Sequence, residues 1–143
     1  MTSNVNTAAG ARILVVDDEL SSRTGMARLL AGEGYVVNTA HDAAYALALA
    51  AVHPPDVVLT DLMMPGMDGV ALLEKLHEGD PALPVIVVTA AWDLLAAVRA
   101  VTAGADDYVA KPIDFDDLTR MLRRALERRR TRLEAAVLRA RPA

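Results

Sequence analysis

Short apolar blocks rich in β-branched residues recur along the chain, at residues 13–16, 36–37, 57–59, 85–88 and 108–109. Each is too short for a helix and nearly continuous rather than alternating, which is the pattern of a strand buried on both faces. Between the blocks run longer stretches with apolar residues at helical spacing. These are Met26, Leu29 and Leu30; Ala44, Leu47, Ala48 and Val52; Val70, Leu73, Leu76 and His77; and Leu94, Leu95, Val98 and Val101. Strand followed by helix, repeated along the whole chain, predicts an α/β fold in which right-handed crossovers join parallel strands into a three-layer α/β/α sandwich. The punctuation agrees with this. Asp42, Asp68, Asp93 and Asp114 stand at helix N-caps, Gly32, Gly34, Gly79 and Gly104 follow helical runs, and Pro54, Pro55 and Pro84 precede strands, where a missing N–H costs least.

Composition narrows the class further. The chain has 143 residues, enough for one core, and no cysteine, which excludes disulfide scaffolds, thiolate zinc sites and cysteine nucleophiles. The longest nearly apolar stretch, residues 43–52, is about half the ~20 residues that a membrane-spanning helix needs. Residues 1–10 have neither a basic flank nor an apolar core and read as a flexible tail rather than a secretory signal, so a cytoplasmic location is expected. His41, His53 and His77 have no spacing suited to a metal site.

In an open parallel sheet, ligands bind beyond the carboxyl ends of the strands. Asp17 and Asp18 follow the first block, Asp61 the third, Thr89 ends the fourth and Lys111 lies past the fifth, so these side chains converge on one edge. Crowded carboxylates repel one another unless a cation compensates, and hard oxygen donors suit Mg2+. Lys111 and Thr89 supply the charge and the hydroxyl that a tetrahedral oxyanion beside a metal requires. A carboxylate can attack phosphorus, and Asp61 is the expected nucleophile because it alone comes from a central strand.

These residues carry a resemblance. The segments ILVVDDE (13–19), VVLTDLMMPGMDG (57–69), VIVVTA (85–90) and GADDYVAKPID (104–114) resemble the signatures of the response-regulator receiver domains of bacterial two-component systems, over residues 11–126. The resemblance implies a flavodoxin-like, doubly wound sheet of order 2-1-3-4-5 with five helices. It implies that Asp61 accepts a phosphoryl group from a phosphohistidine on a sensor histidine kinase. Asp18 and Asp61 would hold Mg2+, or Mn2+ in its place, with the backbone carbonyl of Met63, and Asp17 would act mainly through water. Lys111 and Thr89 would contact the phosphoryl oxygens, and Tyr108 would follow Thr89 as the switch. The face formed by the fourth helix, fifth strand and fifth helix would then pass the change to an output domain or protein, with a homodimer left open and nucleic acid reached only through that output. Lys111–Pro112 would be cis.

Several positions need their own reading. Met63 and Ala91 are apolar where family members often place groups that tune the lifetime of the acyl phosphate, so slow self-dephosphorylation is expected. Trp92, the only tryptophan, is expected to pack in part against the fourth helix. MMPGM reads as loop packing with Pro65 and Gly66 as turn residues, and Gly69 as a point of close approach.

Charge is unevenly distributed. Residues 1–119 carry 17 Asp and Glu against six Lys and Arg, whereas residues 120–143 carry nine Arg against two Glu. Residues 114–138 read as one helix, with Leu118, Leu122 and Leu126 facing the body and Leu126, Leu133 and Ala140 recurring at sevens. Arg129 would interrupt any coiled coil built on that repeat. The plain reading of the basic end is a solvated helix with a fraying terminus; partner or DNA contact competes with it. The chain thus divides into a tail (1–10), a receiver domain (11–126) and a basic helical extension or linker (127–143). The resemblance extends to receivers of nitrogen-regulation-type transcription activators. The alternatives are a degenerate receiver acting as a phosphorylation-independent interaction module, and an aspartyl-nucleophile phosphatase, against which stands Met63 in place of a second acid. A nucleotide or flavin carrier is disfavoured because Asp17–Asp18–Glu19 replaces a glycine-rich loop.

Overall fold

The computed structural model describes residues 10–141 except 65 and 67. The expectations for the tail (residues 1–9) and for Pro65 and Met67 therefore lie outside the described residues. The elements are β1 (Arg12–Val16), α1 (Leu20–Gly32), β2 (Val36–Ala40), α2 (Ala43–Val52), β3 (Val57–Asp61), α3 (Gly69–Gly79), β4 (Val85–Ala90), α4 (Leu94–Thr102), β5 (Asp107–Lys111) and α5 (Phe115–Ala140). The strands form one parallel sheet in the order β2-β1-β3-β4-β5. This is the expected α/β class and order.

The near-continuous apolar runs are explained by the two cores. Leu14, Val16, Val58, Val85 and Val87 face α2, α3 and α4, while Ile13, Val15, Val57, Leu59, Ile86 and Val88 face α1 and α5. Successive side chains on a strand point to opposite faces, so a strand covered on both sides has no polar alternation to show. The strands run past the apolar blocks into polar residues, β3 as far as Asp61 and β5 as far as Lys111. Hydropathy marks only the apolar part of a ladder that continues into the site. The Asp caps are in place: the carboxylates of Asp42, Asp68, Asp93 and Asp114 accept from Tyr45, Ala71, Ala96 and Asp117 N–H groups. Gly104, at φ +112°, turns the chain after α4 in a conformation that L side chains rarely adopt.

The structure decides which faces of two helices are buried, and it corrects the expectation for Trp92. The α4 stripe Leu94, Leu95, Val98 and Val101 is exposed, and the helix buries Ala96, Ala97 and Ala100 instead. Both faces of α4 are apolar, and the small residues allow the closer approach to the sheet. On α2, Ala43 and Ala46 are buried while Ala44 and Val52 are exposed, for the same reason. Trp92 does not pack on α4; it is 84% exposed.

The basic end is mostly exposed, as a solvated helix would be, but part of it packs against the body. Helix α5 runs unbroken across residue 126, with Leu118, Leu122 and Ala125 buried. Beyond them Arg129 lies 3.6 Å from Asp56 and 3.1 Å from Asp80, with its side chain only 14% exposed. Arg128 and Arg132 converge on Asp106, whose side chain is 2% exposed. Those acids sit at the amino ends of the strands, where Asp56 also accepts from Arg12 N–H and Asp106 from Val85 N–H. Six of the nine arginines of residues 120–143 pair with acids of the same chain.

Candidate functional site

The carboxyl edge of the sheet gathers the polar residues singled out above. Asp17 directly follows β1, with its N–H donating to the Ala40 carbonyl (3.1 Å) and its carboxylate accepting from Glu19 N–H (2.9 Å). Asp61 ends β3, buried like Asp17, while Asp18 is exposed beside them. One carboxylate oxygen from each of the three lies within 4.8 Å of the others. Lys111, at the end of β5, reaches over with Nζ 3.5 Å from Asp61 Oδ1. The Lys111–Pro112 peptide is cis.

The electrostatics follow from this crowding. Burial, and then the neighbouring Asp17 carboxylate, push Asp61 from its ordinary 3.8 up to about 7, with Lys111 opposing. Burial also works to raise Asp17, but bonds from Ser22 and the Glu19 N–H, contact with Asp61 and the charge of Lys111 outweigh it and hold Asp17 below the usual range. Without a cation, Asp61 is therefore the member of the pair that holds a proton to the higher pH. A cation among the three oxygens would relieve that repulsion. The group offers carboxylate oxygens only, a donor set that fits Mg2+ rather than a softer metal.

The remaining residues frame this cluster. The Thr89 hydroxyl, buried one residue before the end of β4, donates to the Ala90 carbonyl at 3.4 Å. Tyr108 on β5 and Met63 beyond β3 are both exposed. Gly69 lies against the site floor: a Cβ there would stand 2.6 Å from the Asp61 carbonyl oxygen and 2.8 Å from Leu62 Cα, so no other residue fits without moving the backbone. His41 pairs with Asp42 (3.2 Å) and His77 with the Leu83 carbonyl (2.9 Å), both away from the three carboxylates.

Two residues were invisible to sequence reasoning. Glu19 caps α1, accepting from Ser21 and Ser22 N–H groups. Glutamate is an uncommon cap, so its type gave no signal. Arg23 donates from Nη1 to the Asp17 carbonyl at 2.8 Å. A side chain bonded to a backbone atom leaves no motif.

Comparison with known proteins points one way. The family model described as "Response regulator receiver domain" matches residues 13–123. The DNA-binding transcriptional regulator NtrC of Escherichia coli (strain K12) is 46% identical over 114 residues, 80% of this chain and 24% of NtrC. The chain thus spans about a quarter of the length of the NtrC relatives it matches. Among solved structures, NtrX from Brucella abortus in complex with ADP superposes with a TM-score of 0.86 at 37% identity, covering 94% of this chain and 31% of NtrX. A CheY-like receiver domain protein from Methanospirillum hungatei gives 0.81 at 33% identity, covering 87% and 99%.

Proposed function

Since the chain belongs to the response-regulator receiver family, we propose that it takes a phosphoryl group from a phosphohistidine of a sensor histidine kinase onto Asp61. The observation that carries this reading is the convergence of the Asp17, Asp18 and Asp61 oxygens within 4.8 Å, with Lys111 Nζ 3.5 Å from Asp61. An Asp61 oxygen attacks phosphorus as the P–N bond breaks and its electron pair leaves on the imidazole nitrogen. Lys111 pairs with the phosphoryl oxygens, and Thr89 turns from the Ala90 carbonyl to bond one of them. Asp18, Asp61, the Met63 carbonyl and, through water, Asp17 would hold Mg2+ or Mn2+, which when bound offsets the charge on the transferred group.

The phosphoryl group adds about -1.5 to -2 charges and three acceptor oxygens, enough to bias a loop equilibrium through Thr89 and Tyr108. The face made by α4, β5 and α5 would carry that bias to an output domain or protein. Its exposed Leu94, Leu95, Val98 and Tyr108 offer apolar surface for such a partner. This is a signalling domain, and its only chemistry would be its own phosphorylation and slow dephosphorylation, in keeping with apolar Met63 and Ala91. The ion pairs along α5 weigh against direct DNA binding, since most of the basic charge is already matched within the chain. Among the described residues no helix is long and apolar enough to cross a membrane, and a cytoplasmic location fits the proposed exchange with a kinase.

Incubation with phosphoramidate followed by intact-mass measurement tests the reading. One phosphoryl adduct is expected with Mg2+, and none in metal-free buffer or in Asp61→Asn. A folded protein that takes no adduct, or an Asp61→Asn variant that takes it equally well, overturns it.

A further inference from the structure

We infer that Arg23 is a positioning residue of this acidic site, holding the peptide from which Asp18 hangs. The inference rests on the reading just given. Asp17 is pinned at its amide by the Ala40 carbonyl (3.1 Å) and at its carboxylate by Glu19 N–H (2.9 Å). Its carbonyl belongs to the peptide that joins it to Asp18, and the Arg23 guanidinium anchors that oxygen at 2.8 Å. Among the described residues no hydrogen bond reaches the Asp18 amide or carboxylate, although Asp18 contributes an oxygen to the three-carboxylate group. Asp17 is therefore held by the sheet, whereas the orientation of Asp18 depends on the plane of one peptide. Arg23 sets that plane from a firm base: its helix is capped by Glu19, and its own N–H donates to the Glu19 carbonyl at 3.0 Å.

A guanidinium near three acids has two effects of opposite sign on a divalent cation. Its charge repels the ion, so removing it as a mere counter-charge would tighten binding. Its hydrogen bond orients a ligand, so removing it as a positioning group would loosen binding. The geometry points to the second, because the donor contacts a backbone carbonyl and none of the three carboxylates.

The test is calorimetric titration of the full chain with Mg2+, alongside the rate of phosphoramidate labelling as a function of Mg2+ concentration. Arg23→Ala is expected to raise the Mg2+ dissociation constant about tenfold, the low end for partners that orient metal ligands. Saturating Mg2+ should recover most of the labelling rate. Arg23→Lys, which keeps the charge and a shorter donor, should restore much of the affinity, and Arg28→Ala, which removes a charge from the same helix, should leave it unchanged. Should Arg23→Ala fold poorly, Arg23→Met keeps the aliphatic stem without the donor and carries the same expectation. Unchanged or tighter Mg2+ binding in the folded Arg23 variants overturns the inference and leaves the phosphoacceptor reading intact. A wild-type chain that neither binds Mg2+ nor takes a phosphoryl group overturns both.

Discussion

Asp61 is where burial and charge meet most directly. Its carboxyl is raised to about 7 in the folded chain against an ordinary 3.8, with burial the first cause. Between those values the native state keeps a proton that the unfolded state has lost, so this group's stabilisation is complete below the ordinary value and is lost as pH rises through about 7. Asp17, held below the usual range, works in the opposite sense at more acid pH. Metal-free protein should therefore lose stability between about pH 4 and pH 7 and level off above. Asp61→Asn, which cannot ionise, should flatten that slope and melt about 3–8 °C higher at pH 8. Melting curves across this range check it, and a wild-type slope that matches the variant's refutes the assignment. The identity of Asp61 was readable from its place after an apolar block. Its protonation was not, because it depends on Asp17, which arrives from another strand.

At the scale of elements, α4 shows how far periodicity reaches. The spacing of Leu94, Leu95, Val98 and Val101 correctly marks a helix, but it does not say which of two apolar faces meets the sheet. Ala96, Ala97 and Ala100 do, and the larger residues stay outside. Val98→Lys should thus change stability by less than about 0.5 kcal/mol. Ala100→Leu, at a fully buried position, should cost about 1–3 kcal/mol through overpacking. Urea denaturation separates the two, and equal costs would contradict the orientation of the helix. The caps were more legible than the faces. Asp42, Asp68, Asp93 and Asp114 act on N–H groups three residues away, a distance that the sequence itself encodes.

The whole molecule uses the two edges of its sheet differently. Five-residue strands place the acidic site and the arginine contacts about 16 Å apart, at opposite ends of the sheet. At the amino edge Arg128, Arg129 and Arg132 pair with Asp56, Asp80 and Asp106, so the helix touches the body as far as residue 132. A chain ending at residue 126 should melt about 5–10 °C lower, because nearly buried Asp106 loses both of its arginine partners. It should still accept a phosphoryl group at Asp61; an unchanged melting temperature would return the extension to the status of a linker. The sequence alone determined the alternation of elements, the parallel sheet, the caps and the convergence of Asp17, Asp18, Asp61, Thr89 and Lys111. Each of these follows from short-range pattern or from the direction in which parallel strands run. Only the tertiary structure decided which face of α4 is buried, that Arg23 holds the Asp17 carbonyl, and that the arginines of α5 are matched by acids of the strand edges. Those outcomes depend on the packing distance between layers and on charges far apart in the chain, neither of which leaves a local trace.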